Sequence, residues 1–82
     1  MVTRDFSGED VVKVLVNVGD FGRARQRGSH AILKYQHPET GEKRTVTVPM
    51  RDRIKTGTLR DIAEQAGAKD FDEFCKWIDR NK

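Results

Sequence analysis

The spacing of apolar residues predicts a helix near the start of the chain. Between residues 11 and 18 apolar side chains recur every three or four positions, which places them on one helical face. Ser7 can cap the first turn, and Asp10 three positions later resembles a capping box. Valine also favours strands, so the prediction of a helix over about 7–18 depends on this cap and on Gly19 as its terminator.

Alternating apolar and polar residues then predict three short strands. We expect them at about 21–26, 30–36 and 44–49, with a turn at Gly28 and a hairpin loop over 37–42. Strands joined by such short connections pair antiparallel. The middle of the chain is therefore predicted to form a three-stranded antiparallel sheet.

The same alternation predicts which face of the sheet each residue of the second strand occupies. Ala31, Leu33 and Tyr35 share one face, and the other is formed by His30, Ile32 and Lys34. Burying a lysine is costly. We therefore expect the alanine and leucine to face the core, with His30 and Lys34 on the open face.

Two helices are predicted after the sheet. Thr58 is expected to cap the first, with Asp61 at the capping-box position and Gly67 at its end. Asp70, with Glu73 three positions later, opens a last short helix whose apolar side chains pack inward or against a partner. The predicted fold is α+β, in the order α-β-β-β-α with a short C-terminal helix, and its helices cover one face of the sheet.

Length and composition narrow the classes of protein that this chain can form. Its 82 residues suit one domain over 1–82, and no apolar run is long enough to span a membrane. The first residues lack the apolar stretch of a signal peptide, so we expect a cytoplasmic protein. One cysteine, Cys75, and two histidines argue against a disulfide framework and against a structural zinc site.

The net charge of +3 is distributed unevenly. Residues 23–60 contain ten basic and three acidic side chains, whereas 1–22 and 61–82 are each net acidic. A basic centre predicts contact with a polyanion, and nucleic acid is the leading candidate. The alternative is a solvated charged surface that binds nothing specific.

Three arginines in residues 23–27 directly precede His30. Cleaving an RNA backbone without a metal needs a base for the 2′-hydroxyl, an acid for the leaving oxygen and cations near the phosphate. Histidine can act as base or acid near neutral pH, and basic side chains stabilise charge on phosphorus. His30 is therefore a candidate catalytic residue, although it can equally be an ordinary polar residue of a strand. His37, before Pro38 in the predicted loop, is expected to be structural.

Four short segments together resemble the HicA (YcfA-like) family of toxins, in order and in spacing, over about residues 7–78. They are residues 25–30 (RQRGSH), 37–38 (HP), 45–49 (TVTVP) and 55–67 (KTGTLRDIAEQAG). The resemblance implies a double-stranded-RNA-binding-like fold. It also implies a ribosome-independent mRNA interferase of a type II toxin–antitoxin pair, neutralised by a HicB-type antitoxin.

The resemblance also implies the role of one residue. The family's Gly-Ser-His motif falls on residues 28–30, which makes His30 the catalytic histidine. Many members carry a second histidine two residues after the Val-Pro pair, where this chain has Arg51, which can bind phosphate but cannot exchange a proton. We expect neither a metal nor a cofactor. The side chains expected to bind RNA are Arg25, Arg27, Ser29, Lys34, Arg51 and Lys55.

Three functions remain open from the sequence. The favoured one is an endoribonuclease that uses His30, with mRNA as substrate and a HicB-type antitoxin as partner. The others are a double-stranded-RNA-binding module without catalysis and a docking surface for an antitoxin alone. The first function predicts cleavage of RNA, the second predicts binding of RNA without cleavage, and the third predicts no effect on RNA.

Overall fold

The computed structural model describes residues 5–82 of the chain. Residues 1–4, which belong to the predicted domain and to the segment used to argue against a signal peptide, lie outside the described residues. Within 5–82, no helix has both the length and the apolar character needed to cross a membrane. The elements are α1 (Gly8–Asn17), β1 (Gly22–Arg27), β2 (His30–Gln36), β3 (Lys43–Pro49), α2 (Thr56–Gln65) and α3 (Phe71–Asn81).

The three strands form an open antiparallel sheet in the order β1-β2-β3. This confirms the predicted α+β fold and its order of elements, with β1 one residue later and β3 one residue longer than predicted. Gly28 and Ser29 form the two-residue turn between β1 and β2. Gly28 has a φ of +58°, the left-handed conformation that a type II′ hairpin turn needs at its first central position.

The faces of β2 are those predicted. Ala31 and Leu33 are buried and Tyr35 is half-buried, whereas His30 and Lys34 are exposed. α1 packs against β2 and β3 on the buried face, and α3 packs against α1. Every residue of β1 is exposed. The core draws on the other elements and on flanking residues, chiefly Phe6, Val11, Val14, Leu15, Leu33, Val46, Val48, Ile54, Leu59, Ile62, Phe74 and Ile78.

The predicted cap of α1 is confirmed, but its predicted terminator is wrong. The Ser7 hydroxyl accepts from the Asp10 N–H at 3.0 Å, and the Asp10 carboxylate accepts from the Ser7 N–H at 3.2 Å. Beyond the helix the left-handed residue is Asp20, with a φ of 62°, and not Gly19. Gly19 instead gives room to a neighbour, because a Cβ there would lie 3.0 Å from the Trp77 ring of α3.

The predicted start of α2 is also wrong. Lys55 is its N-cap residue and makes no side-chain capping bond, so the helix begins at Thr56. Thr58 and Asp61 are therefore already helical and form no capping box. The predicted end is confirmed, since Gly67 follows the helix with a φ of +86°.

α3 begins as predicted but is not short. The Asp70 carboxylate accepts from the Glu73 N–H at 3.0 Å and caps the first turn. The helix contains 11 residues, whereas α1 and α2 contain 10 residues each. Phe74, Cys75 and Ile78 are buried, so the apolar stripe extends into its last turns and stabilises them.

Candidate nucleic-acid interface

A β-bulge in β1 determines which arginines share a face with the candidate histidine. Arg23 pairs with Leu33, and Arg25 pairs with Ile32, so Ala24 is an extra residue without a partner. Directly opposed residues of an antiparallel pair point to the same face. Arg23 therefore lies on the face of buried Leu33, and Arg25 lies on the open face.

Arg27 and Lys34, the other basic residues of the sheet that are predicted to bind RNA, also lie on the open face. Arg27 pairs with His30 at the hairpin turn, and Lys34 follows on the same face of β2. Arg25, Arg27 and Lys34 are exposed, and none of them makes an ion pair with a carboxylate within residues 5–82. These three cations and His30 form a continuous surface that we call the basic face.

A cleft of about 390 Å³ adjoins the basic face between β3 and α2. His30 lines it from the sheet, and Arg51 and Lys55 line it from the loop that follows β3. The histidine therefore belongs to both surfaces. The cleft is completed by Thr47, Pro49, Ile54, Thr58, Asp61, Ile62 and Gln65.

Backbone hydrogen bonds fix the loop that carries Arg51. The Arg51 carbonyl accepts from the Gly8 N–H at 2.9 Å, and the Ile54 N–H donates to the Phe6 carbonyl at 2.8 Å. A third bond joins the Met50 N–H to the Ser29 carbonyl at 2.6 Å, so the hairpin turn and this loop are tied together. Ser29 is exposed beside His30, where its hydroxyl is open to a ligand.

Besides its buried apolar residues, α2 contacts the edge of the sheet through one polar side chain. Gln65 Oε1 accepts from the Thr47 N–H at 3.0 Å, which satisfies an outward-pointing donor of the edge strand β3. Pro49 lies two residues further along that edge and has no N–H to satisfy. The start of α2, with no side-chain cap, faces the cleft at Lys55 and Thr58. Helix N–H groups in such a position favour anions.

His37 lies at the other end of β2, away from the basic face. Its Nδ1 accepts from the N–H groups of Glu39 and Thr40, at 3.1 and 3.2 Å. Its ring meets Tyr35 edge-on, with 6.4 Å between the ring centroids. This geometry supports a structural role for His37 in the hairpin loop.

The part of the chain that the structure describes contains no group of three or more His, Cys, Asp or Glu side chains arranged to hold a metal ion. Cys75 is fully buried in α3 and lies in the core. The chemically active groups of this region are therefore one exposed histidine, several cations and the polar residues of the cleft.

A family model described as the HicA toxin of bacterial toxin–antitoxin systems matches residues 8–68. The chain belongs to the HicA toxin family. The match runs from the start of α1 past the end of α2, so it contains the basic face and the cleft but not α3. No curated protein and no solved structure matched the chain. HicA membership makes this chain the toxin of a toxin–antitoxin module, which implies an antitoxin partner.

Beyond the start of α2, the residues that line the cleft have no functional role in the sequence predictions. Thr58 and Asp61 were expected to form a cap, and Gln65 had no assigned role. A signal for the cleft was available, because polar residues at positions 58, 61 and 65 are spaced by three and four and so share one helical face.

Proposed function

We propose that this chain is a cytoplasmic endoribonuclease that cleaves mRNA independently of the ribosome and is neutralised by a HicB-type antitoxin. The observation that carries the proposal is the position of His30 at the junction of the basic face and the cleft. Arg25 and Arg27 lie on one side of it, and Arg51 and Lys55 lie on the other. An RNA backbone that passes the histidine meets cations before and after it.

The exposed cations suit the binding of a phosphate backbone. Arg25, Arg27, Lys34, Arg51 and Lys55 are exposed, and within residues 5–82 none of them is neutralised by an ion pair. Guanidinium groups bind phosphate oxygens through two parallel hydrogen bonds, and a lysine binds them as a point charge. The hydroxyl of Ser29 adds a neutral donor beside the histidine.

The proposed reaction uses the 2′-hydroxyl of the RNA as its nucleophile and needs no metal. The 2′-oxygen loses a proton and forms a bond to the adjacent phosphorus, while the bond from phosphorus to the 5′-oxygen breaks and that oxygen gains a proton. His30 carries one of these two proton transfers as general base or acid. Cations at the cleft stabilise the charge that develops on the phosphoryl oxygens.

An antitoxin that neutralises this enzyme needs to cover His30 or the cations around it. The basic face favours a partner that presents carboxylates to it, by complementarity of charge. The same patch therefore serves substrate and inhibitor, and the two compete.

The test is cleavage of a purified mRNA by the wild type, His30→Ala and His37→Ala. We expect wild-type cleavage that leaves 2′,3′-cyclic phosphate ends and resists EDTA. His30→Ala should bind RNA with similar affinity and yield no product, whereas the matched histidine variant His37→Ala should cleave normally.

Three other results would overturn the proposal in distinguishable ways. Cleavage by His30→Ala at the wild-type rate would remove His30 from the chemistry. Salt-dependent binding of duplex RNA without any product would favour the non-catalytic RNA-binding module. A stable complex with the antitoxin and no effect on RNA would favour a docking surface alone.

A further inference from the structure

The cleft beside His30 contains one carboxylate, that of Asp61. Asp61 is exposed on α2, and within residues 5–82 its carboxylate makes neither a hydrogen bond nor an ion pair. Arg51 and Lys55 line the same cleft without pairing with it. Its carboxylate is therefore open to whatever enters the cleft.

The bond between Gln65 and Thr47 places Asp61 relative to His30. Asp61 lies four residues before Gln65 on the same face of α2, which is about 6 Å along the helix axis. Two residues of strand span about 7 Å, and α2 begins after the loop that follows Pro49, so this spacing brings Asp61 toward Pro49, which lines the same cleft. Pro49 is the cross-strand partner of His30.

Pro49 belongs to β3, which lies between β2 and α2. Pro49 is buried, whereas His30 on β2 and Asp61 on α2 are exposed, and all three line the cleft. Cleavage by 2′-hydroxyl attack needs one group on each side of the phosphorus, since the attacking and leaving oxygens are in line. The cleft offers this arrangement to a phosphate bound between β2 and α2, because His30 and Asp61 belong to different elements that line it.

We propose that Asp61 is the second proton-transfer group of RNA cleavage and acts opposite His30; this inference rests on the proposed function. The carboxylate takes the proton of the 2′-hydroxyl as the bond from the 2′-oxygen to phosphorus forms. The imidazolium of His30 gives its proton to the 5′-oxygen as the bond from phosphorus to that oxygen breaks. Product release returns a proton from Asp61 to solvent and one from solvent to His30, which completes the cycle.

A role in binding alone does not account for this carboxylate. A negative charge among phosphate-binding cations repels the backbone, so its removal should leave RNA affinity unchanged or raise it. A role in proton transfer predicts that removing the carboxylate lowers the rate of cleavage. The two roles are therefore separated by measuring kcat and Kd on the same variant.

The experiment compares single-turnover cleavage and RNA binding of the wild type, Asp61→Asn and Glu64→Gln. Glu64 is exposed on α2 outside the cleft, so its variant controls for the loss of one negative charge. We expect Asp61→Asn to lose about 100-fold or more in rate, with equal or tighter binding and an unchanged melting temperature. Asp61→Glu should recover part of the rate.

Two results would overturn this inference and leave the proposed function standing. One is wild-type cleavage by Asp61→Asn while His30→Ala is inactive. The other is a rate loss in Asp61→Asn that follows a loss of folded protein or of RNA affinity, since that is a structural effect. If the wild type cleaves no RNA, the proposed function and this inference fail together.

Discussion

Arg23 and Arg25 lie on opposite faces of the sheet, although only Ala24 separates them. In a regular strand, residues two apart share a face. The bulge at Ala24 adds one residue to β1, which turns Arg25 and Arg27 toward the face of His30. Arg23 remains on the other side, where it lines a groove with residues of α1.

This separation predicts unequal effects of three arginine substitutions on RNA binding. Arg25→Gln and Arg27→Gln each remove a cation from the basic face, and with it one phosphate contact. Each should therefore lower the slope of log Kd against log salt concentration by roughly 0.7 for single-stranded RNA. Arg23→Gln removes the same charge from the opposite face and should leave that slope unchanged. Fluorescence anisotropy over a range of salt concentrations measures all three.

Equal slopes for the three variants would mean that only the net charge of the chain matters. A larger effect of Arg23→Gln than of Arg25→Gln would place the RNA on the helical side of the sheet. Either result contradicts the basic face as the binding surface.

The second histidine should contribute to stability and not to cleavage. His37→Ala removes the acceptor for two backbone N–H groups, those of Glu39 and Thr40. The loop is exposed, so water replaces part of this loss, and we expect about 1 kcal/mol less free energy of unfolding. Urea denaturation measures this change. An unchanged midpoint would show that the loop does not depend on its histidine.

Much of the fold follows from local sequence signals. β2 has the predicted bounds because its apolar and polar residues alternate from His30 to Gln36 with Ile32 as the one exception. α1 begins where Ser7 and Asp10, which are three positions apart, form reciprocal hydrogen bonds. Such signals involve only near neighbours, so a single sequence contains them.

Other features depend on contacts between distant segments. The run from Arg23 to Arg27 alternates regularly and gives no sign of a bulge at Ala24. α2 begins at Thr56 and not after Thr58, because the preceding loop is fixed by the bond from Ile54 to Phe6, far away in sequence. For the same reason the cleft, which joins α2 to the sheet, was not predicted.

The bond between Gln65 and Thr47 should stabilise the edge of the sheet. Gln65→Ala leaves the Thr47 N–H to solvent, so we expect a loss of about 1 kcal/mol and faster hydrogen exchange at the Thr47 amide. Glu64→Ala is the matched control on the same helix, because Glu64 makes no such bond. Exchange measured by NMR that is equally fast in both variants, or unchanged in Gln65→Ala, would contradict the role of this side chain.

The position of Arg51 depends on a glycine at the start of α1. A Cβ on Gly8 would overlap the carbonyl oxygen of Pro49 and lie 2.9 Å from the Met50 Cα. The Gly8 N–H also donates to the Arg51 carbonyl at 2.9 Å, so the helix and the loop cannot separate without losing that bond. The opposing atoms belong to the backbone, which has no rotamer with which to move away.

Gly8→Ala should therefore lower the free energy of unfolding by about 1–3 kcal/mol, or several degrees of melting temperature in a chain of 82 residues. Gly57→Ala is the control, since a Cβ there meets no atom within 4 Å and helix propensity favours alanine by up to about 1 kcal/mol. Thermal and urea unfolding measure both variants. If Gly8→Ala is as stable as Gly57→Ala, α1 and the loop are not in close contact, and the wall of the cleft that carries Arg51 is not fixed by this packing.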